Sequence, residues 1–152
     1  MKQNQTEAKL RKILVAVDGS EGSIKAAKFA GMIAESSGAE LTILHVITIP
    51  SAAFVGDVPI PLNEMEKDAR QAAEKYIAST KNALKSKKIK LKAAVGERYD
   101  SPVRGITEYA EKHGMDMIVM GTRGLGGFRR LVLGSVASGV VHYAHCTVTV
   151  VR

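Results

Sequence analysis

Short apolar runs alternate along the chain with longer stretches in which apolar residues recur at helical spacing. The first run, Ile13 to Val17, carries no charge and stops at Asp18-Gly19-Ser20. Ser20 is an N-cap residue type and Gly38 a C-cap type, so the spacing predicts a helix between them with Ile24, Ala27, Ala30 and Ala34 on one face. A second apolar run covers Leu41 to Val46. Pro50, Pro59 and Pro61 then exclude a helix interior and predict about fifteen residues of loop. Asn63 and Glu66 have capping-box spacing, which predicts a helix starting there, with Met65, Ala69, Ala72, Ala73, Tyr76, Ile77 and Leu84 as its buried stripe.

Ile89 to Val95 alternates lysines with apolar residues, as a charge-guarded edge strand does, and Gly96 is expected to end it. Ser101-Pro102 places a cap before a proline at the first helical position, and Val103, Ile106 and Ala110 carry that helix to Gly114. Met117 to Met120 and Thr147 to Val151 are the remaining strands, with a glycine-rich segment and a helix from Ser135 between them. Strands alternating with helices, in runs too apolar for a one-sided sheet, predict the α/β class. The expected architecture is a single-domain open five-stranded parallel sheet with helices on both faces.

Composition supports one globular domain spanning 1–152, with residues 1–10 as a flexible lead-in. The chain has 152 residues, 45% hydrophobic and 24% charged, and one cysteine. Disordered, collagen-like and disulfide-stapled classes are excluded on those numbers. No apolar run approaches the roughly 20 residues that span a bilayer, and no leader-like apolar stretch opens the chain, so a cytoplasmic location is expected and no membrane partner. The formal net charge of +7 admits an anionic partner without choosing one.

Sheets of this class hold ligands outside the carboxyl ends of their strands, where strand order reverses. There the fourth strand runs into a segment with the spacing G-x2-G-x9-G-S, formed by Gly121, Gly124, Gly134 and Ser135. Glycines let a backbone approach a ligand closely, and a helix N-terminus presents free N–H groups and a positive dipole end to an anion. Arg123, Arg129 and Arg130 add positive charge beside it. Neither the P-loop spacing nor a G-x-G-x-x-G after the first strand is present.

The segment MGTRGLGGFRRLVLGSVASGVV resembles the nucleotide-binding signature of the universal stress protein family, and ILVAVDGSEGS, LTILHV and DMIVMGTRG resemble other blocks of that family. The resemblance runs from about Lys12 to Arg152. It implies a sheet of strand order 3-2-1-4-5 and, for members with the glycine motif, binding of ATP or another adenine nucleotide, with Mg²⁺ as the candidate counter-ion. It also implies roles for matching residues: Ala16 and Val46 at the adenine, Asp18 at the ribose hydroxyls, Met120 and Gly121 along the nucleoside. Arg123 and Gly124 would lie near the phosphates, and Gly134, Ser135 and Val136 would hold them. Asp18 has an alternative use, as an Asx-type turn residue supporting Gly19 and Ser20.

The resemblance further implies a homodimer formed through Thr147 to Val151, an edge strand that invites pairing. Two other readings stand beside the nucleotide binder: a nucleotide-independent dimeric interaction protein, whose family counterparts lack the glycine pattern, and a slow ATP hydrolase or phosphotransferase. The segment offers arginines but no carboxylate to hold a metal or orient water, which describes a binder better than a catalyst. His142, His145 and Cys146 cluster near the end of the chain, but a structural metal site wants four ligands, and a buried cysteine before the last strand is the simpler expectation. His145 and Thr147 also stand where many family members carry prolines. Lys85, Lys87, Lys88, Lys90 and Lys92 lack interleaved aromatics and read as a solvated face rather than a nucleic-acid surface.

Overall fold

The computed structural model describes residues 9–49, 54–55, 57–59, 61–122 and 133–152. Among these described residues, seven strands and four helices follow in the order β1 (Lys12–Ala16), α1 (Glu21–Ser37), β2 (Glu40–Thr48), β3 (Phe54–Val55), β4 (Val58–Pro59), α2 (Leu62–Leu84), β5 (Lys90–Tyr99), α3 (Pro102–Lys112), β6 (Met117–Gly121), α4 (Ser135–Tyr143) and β7 (Thr147–Val151). Five strands form one parallel sheet, β5-β2-β1-β6-β7, which is the order 3-2-1-4-5 when only its own strands are counted. The short antiparallel pair β3–β4 falls inside the stretch expected to be loop.

Alternation along each strand divides the core in two. Ile13 and Val15 of β1 and Val17 just past it pack with Leu41, Ile43 and Val119 against Ala26, Ala27, Ala30 and Ala34 of α1 and Leu84 of α2. On the other face Leu14, Leu44, Ile118 and Met120 meet Ile106 and Ala110 of α3 and Ala137 and Val140 of α4. The alanine stripe of α1 brings its backbone close to the sheet, and Ile24, assigned to that stripe by spacing, is only half-buried. Leu10, within the expected lead-in, already packs against the first of these clusters.

Where the sequence marks a side-chain cap, the helix starts follow it with one exception. Ser20 Oγ accepts the Ser23 N–H, and Gly38 closes α1 in the left-handed region (φ +72°). Ser101 Oγ accepts the Arg104 N–H at the start of α3, one residue before Pro102. The exception is α2, where the Asn63/Glu66 box is not used: the chain enters the helix from Pro61, so Asn63 already lies inside the first turn. Met65 is accordingly 42% exposed rather than part of the buried stripe.

The strand predicted to stop at Gly96 continues to Tyr99, with an irregular register opposite Val46 and Thr48. Gly96 pairs with Val46 and leaves room beside it for the Tyr99 ring, 3.3 Å from where a Cβ would stand. No helix among the described residues is long and apolar enough to cross a membrane.

Candidate functional site

The chain adds β2 and β5 on one side of β1 and then β6 and β7 on the other, so the strand order reverses between β1 and β6. At the carboxyl ends of this pair, the helices that follow depart to opposite faces and leave a crevice. Asp18 stands just past β1 and Thr122 just past β6. Gly22, in the first turn of α1, closes one side: a Cβ on Gly121 would lie 2.9 Å from its carbonyl carbon, so β6 and α1 meet backbone to backbone.

Asp18 is fixed by its own turn. Its Oδ1 accepts the Ser20 N–H at 3.0 Å and the Ser20 hydroxyl at 2.6 Å, and Ser20 Oγ accepts the Ser23 N–H at 3.1 Å. The Asx-type role is therefore real. It occupies one carboxylate oxygen, and Oδ2 receives no hydrogen bond from a described residue. The turn itself is held from α2, because Gly19, at φ +83°, lies against the ring of Tyr76 where no Cβ would fit. Tyr76 also meets the His45 ring edge-on at 5.2 Å, and His45 Nδ1 donates to the Val17 carbonyl at 2.7 Å, which fixes the proton on that nitrogen.

Gly19, His45 and Tyr76 thus support the Asp18 turn, though sequence reasoning assigned none of them to a site. Their signal was present only as a glycine beside an aspartate, one polar residue at the end of an apolar strand, and an aromatic on a helical stripe.

The second half of the site is a neck. Thr122 N–H donates to the Val151 carbonyl at 3.1 Å, and Gly134 N–H donates to the Thr122 carbonyl at 2.7 Å. The chain therefore leaves β6 and returns to the start of α4 at one point. Gly134 caps α4 without a side-chain bond, and Ser138 is the first residue whose N–H reaches back into the helix, to the Gly134 carbonyl. The N–H groups of Ser135, Val136 and Ala137 have no partner among the described residues, while that of Gly134 is already engaged. Arg123, Gly124, Arg129 and Arg130 lie outside the described residues.

The apolar positions divide between wall and core. Ala16 is half-buried at the end of β1, opposite Leu44. Val46 sits further along β2, its side chain seated against Gly105 of α3. Met120 is 5% exposed and belongs to the core under α3 and α4, so its backbone is what it offers to the strand ends. Ala16, Asp18, Val46, Met120, Gly121, Gly134, Ser135 and Val136 all fall at the carboxyl side of the sheet.

Outside the crevice, His142 meets Tyr143 edge-on at 4.6 Å, and Cys146 is half-buried rather than buried. Burial pushes its thiol pKa up, with a smaller contribution from Asp116. No group of three or more His, Cys, Asp or Glu among the described residues is placed to hold a metal ion.

The profile of the universal stress protein family matches residues 9–152. The chain belongs to this family. Universal stress protein MJ0531 of Methanocaldococcus jannaschii is 37% identical over 147 residues, covering 93% of this chain and 82% of that protein. The solved structure of universal stress protein UspA from Lactobacillus plantarum superposes with a TM-score of 0.82 at 30% identity, covering 95% of this chain and 99% of that one.

Two more distant universal stress protein structures contain nucleotides. One is in complex with cAMP (21% identity, TM-score 0.73, 95% of this chain and 99% of that one). The other, from Archaeoglobus fulgidus, is in complex with dAMP (19%, 0.70, 93% and 98%). At these identities they establish the common fold.

Proposed function

We propose that this universal stress protein binds ATP or a related adenine nucleotide in the crevice between β1 and β6, as a cytoplasmic nucleotide-dependent stress-response module. The observation that carries this reading is the neck at Thr122 and Gly134. It brings the chain back to the first turn of α4, where three backbone N–H groups have no partner among the described residues, the arrangement an anion uses. Asp18 supports it from the other side, because an ionised carboxylate with Oδ2 unengaged is an acceptor pair for ribose hydroxyls.

In this reading Ala16 and Val46 flank the adenine, and the backbone of Met120 and Gly121 runs along the nucleoside. Arg123 and Gly124 meet the phosphates, with Mg²⁺ as their counter-ion. Ser135 and Val136 donate from the helix end, where Gly134 supplies the close approach. The cAMP and dAMP complexes of distant relatives add weight to the adenine assignment.

Calorimetric titration with ATP tests the site. Ser135→Ala is expected to weaken binding modestly, and Gly134→Val, which crowds the approach, to abolish it. Unchanged ATP affinity in a folded Gly134→Val variant rejects the site. Release of a bound nucleotide on denaturing the purified protein would identify the preferred ligand.

The same proposal includes a homodimer paired along β7. That strand is the sheet edge, and Val141 and Tyr143 beside it are 50% and 71% exposed. An edge with unpaired backbone groups next to apolar side chains favours association with another copy. Size-exclusion chromatography with light scattering decides it: a clean monomer at micromolar concentration ends the dimer claim.

A further inference from the structure

Much of the positive charge gathers at the end of the sheet opposite the candidate nucleotide site. Parallel register sets Lys12, Glu40 and Lys90 in one row across β1, β2 and β5. Adjacent strands stand about 4.8 Å apart, so Lys12 and Lys90 leave the sheet roughly 10 Å from each other. Arg11 precedes β1, Lys85 follows the last turn of α2, Lys88 leads into β5, and Lys112 ends α3, whose chain turns at once into the start of β6. All six are exposed.

The carboxylates of that end are already committed. Asp116 Oδ2 accepts the backbone N–H groups of Arg11 and Lys12 at 2.9 and 2.8 Å. Glu35 takes the Lys87 ammonium at 2.9 Å and the Lys88 N–H at 3.2 Å, and Glu40 pairs with Lys92 at 3.0 Å. Asp116, bonded only to neutral amides, keeps its charge, so among the described residues there Asp116 and Glu111 are left to offset the six cations. Lysines at helix ends and on an edge strand each have a local rationale. The ammonium of Lys12 has one as well, donating to the carbonyl of His113 at the end of α3 at 3.0 Å. Those rationales do not extend to Arg11, nor do they require Glu35 and Glu40 to be paired elsewhere. Along the sequence the lysines from 85 to 92 look like a solvated face; the fold adds cations from β1 and α3 to the same end.

We propose that this amino end of the sheet binds the phosphate backbone of duplex nucleic acid without reading its bases. Several cations spaced over a rigid end, with little opposing charge, match a dense line of phosphates. A surface for splayed single-stranded bases needs free aromatic platforms, and here Tyr109 is stacked on His113 at 3.9 Å. A lipid surface favours several exposed apolar residues beside the charge, and Met32, one turn before Glu35, is a single one, while Met65 and Tyr143 lie on other segments.

The test is fluorescence anisotropy of a labelled 20-base-pair duplex of arbitrary sequence, titrated with the full chain at several salt concentrations. Contact with four to six phosphates gives an affinity loss of about 10²–10³-fold between 50 and 200 mM salt. The triple substitution Lys88→Gln, Lys90→Gln, Lys112→Gln is expected to flatten the log–log salt slope by about 0.9 per lysine and to weaken binding at least tenfold at 100 mM salt. A control of equal charge change, Lys25→Gln, Lys28→Gln, Lys75→Gln, removes exposed lysines from other parts of α1 and α2 and is expected to cost much less.

Absence of duplex binding at 50 mM salt overturns the proposal. So does an amino-end triple variant that binds as the parent does, or a control that weakens binding equally. Tighter binding to a single-stranded oligonucleotide, or binding to phosphatidylserine vesicles with none to the duplex, overturns the assignment to duplex phosphates.

Discussion

The Ser20 hydroxyl donates to Asp18 Oδ1 at 2.6 Å while its oxygen accepts the Ser23 N–H, so one serine both caps α1 and fixes the carboxylate at the end of β1. The two roles separate by mutation. Ser20→Ala loses the cap and is expected to cost about 1 kcal/mol, some 2–4 °C in melting temperature for a chain of this size. Asp18→Asn keeps an Oδ1 acceptor and thus the turn, so its melting temperature should stay near the parent's. Its ATP affinity should fall about ten- to a hundredfold, the range of a hydrogen bond to a charged group. Thermal melts and calorimetry on the two variants check this. An Asp18→Asn protein that is destabilised yet binds ATP normally would confine Asp18 to the turn.

Gly19 and Tyr76 form the other support of that turn. At Gly19 an alanine meets both a left-handed backbone and the Tyr76 ring, whereas at Gly38, also left-handed, nothing stands within 4 Å of a Cβ. Gly38→Ala therefore measures the backbone cost alone, about 1–2 kcal/mol, and Gly19→Ala should exceed it. Truncating the ring relieves the collision, so Gly19→Ala with Tyr76→Ala should be less destabilised than the sum of the single changes, by roughly 0.5–3 kcal/mol. Urea unfolding of the four proteins gives the coupling, and additive effects would remove Tyr76 from the turn.

The parts of this arrangement legible in the sequence are those written in neighbouring residues. Ile13 to Val17 reads as a buried strand because both sheet faces are covered, and Ser20, Gly38 and Ser101-Pro102 mark helix ends through chemistry confined to one turn. The box at Asn63 misleads because the same residue types are acceptable one position inside a helix, and Pro61, with its fixed φ, already supplies the start. Gly96 misleads because a glycine that ends a strand and one that makes room for Tyr99 look alike in one dimension. The glycine motif points to the β6 end, but the contacts of Tyr76 with Gly19 and of Thr122 with Gly134 join residues far apart in the chain. No local pattern encodes them.

Glu35 and Lys87 tie the end of α1 to the connection before β5, and their pH dependence has a defined sign. The Lys87 ammonium, then the Lys88 N–H, hold the Glu35 carboxyl below its ordinary value of 4.5. A carboxylate whose pKa is lowered by folding contributes stability above its unfolded pKa and loses it as the pH falls through the folded value. Glu35 is exposed and Lys87 only half-buried, so the effect is small. The difference in melting temperature between the parent and Glu35→Gln should be constant from pH 6 to 8 and shrink as the pH is taken below 4.5. A difference that grew in acid would contradict the pairing.

The bond from Gly134 N–H to the Thr122 carbonyl holds the two ends of residues 123–132 together, and it can be removed with little other change. Gly134 has φ −57°, which proline adopts, and as the cap of α4 its N–H serves no helical bond. Gly134→Pro should therefore retain α4 while breaking the neck, and Gly134→Ala should retain both. Trypsin offers the measurement, since Arg123, Arg129 and Arg130 lie between the joined ends. Cleavage at these arginines should be several-fold faster in Gly134→Pro than in the parent and unchanged in Gly134→Ala, because opening of the segment no longer works against a hydrogen bond worth about 1 kcal/mol. If ATP occupies the crevice, it should slow cleavage in the parent and protect the proline variant far less. Equal cleavage rates in all three proteins would show that the neck does not hold the segment.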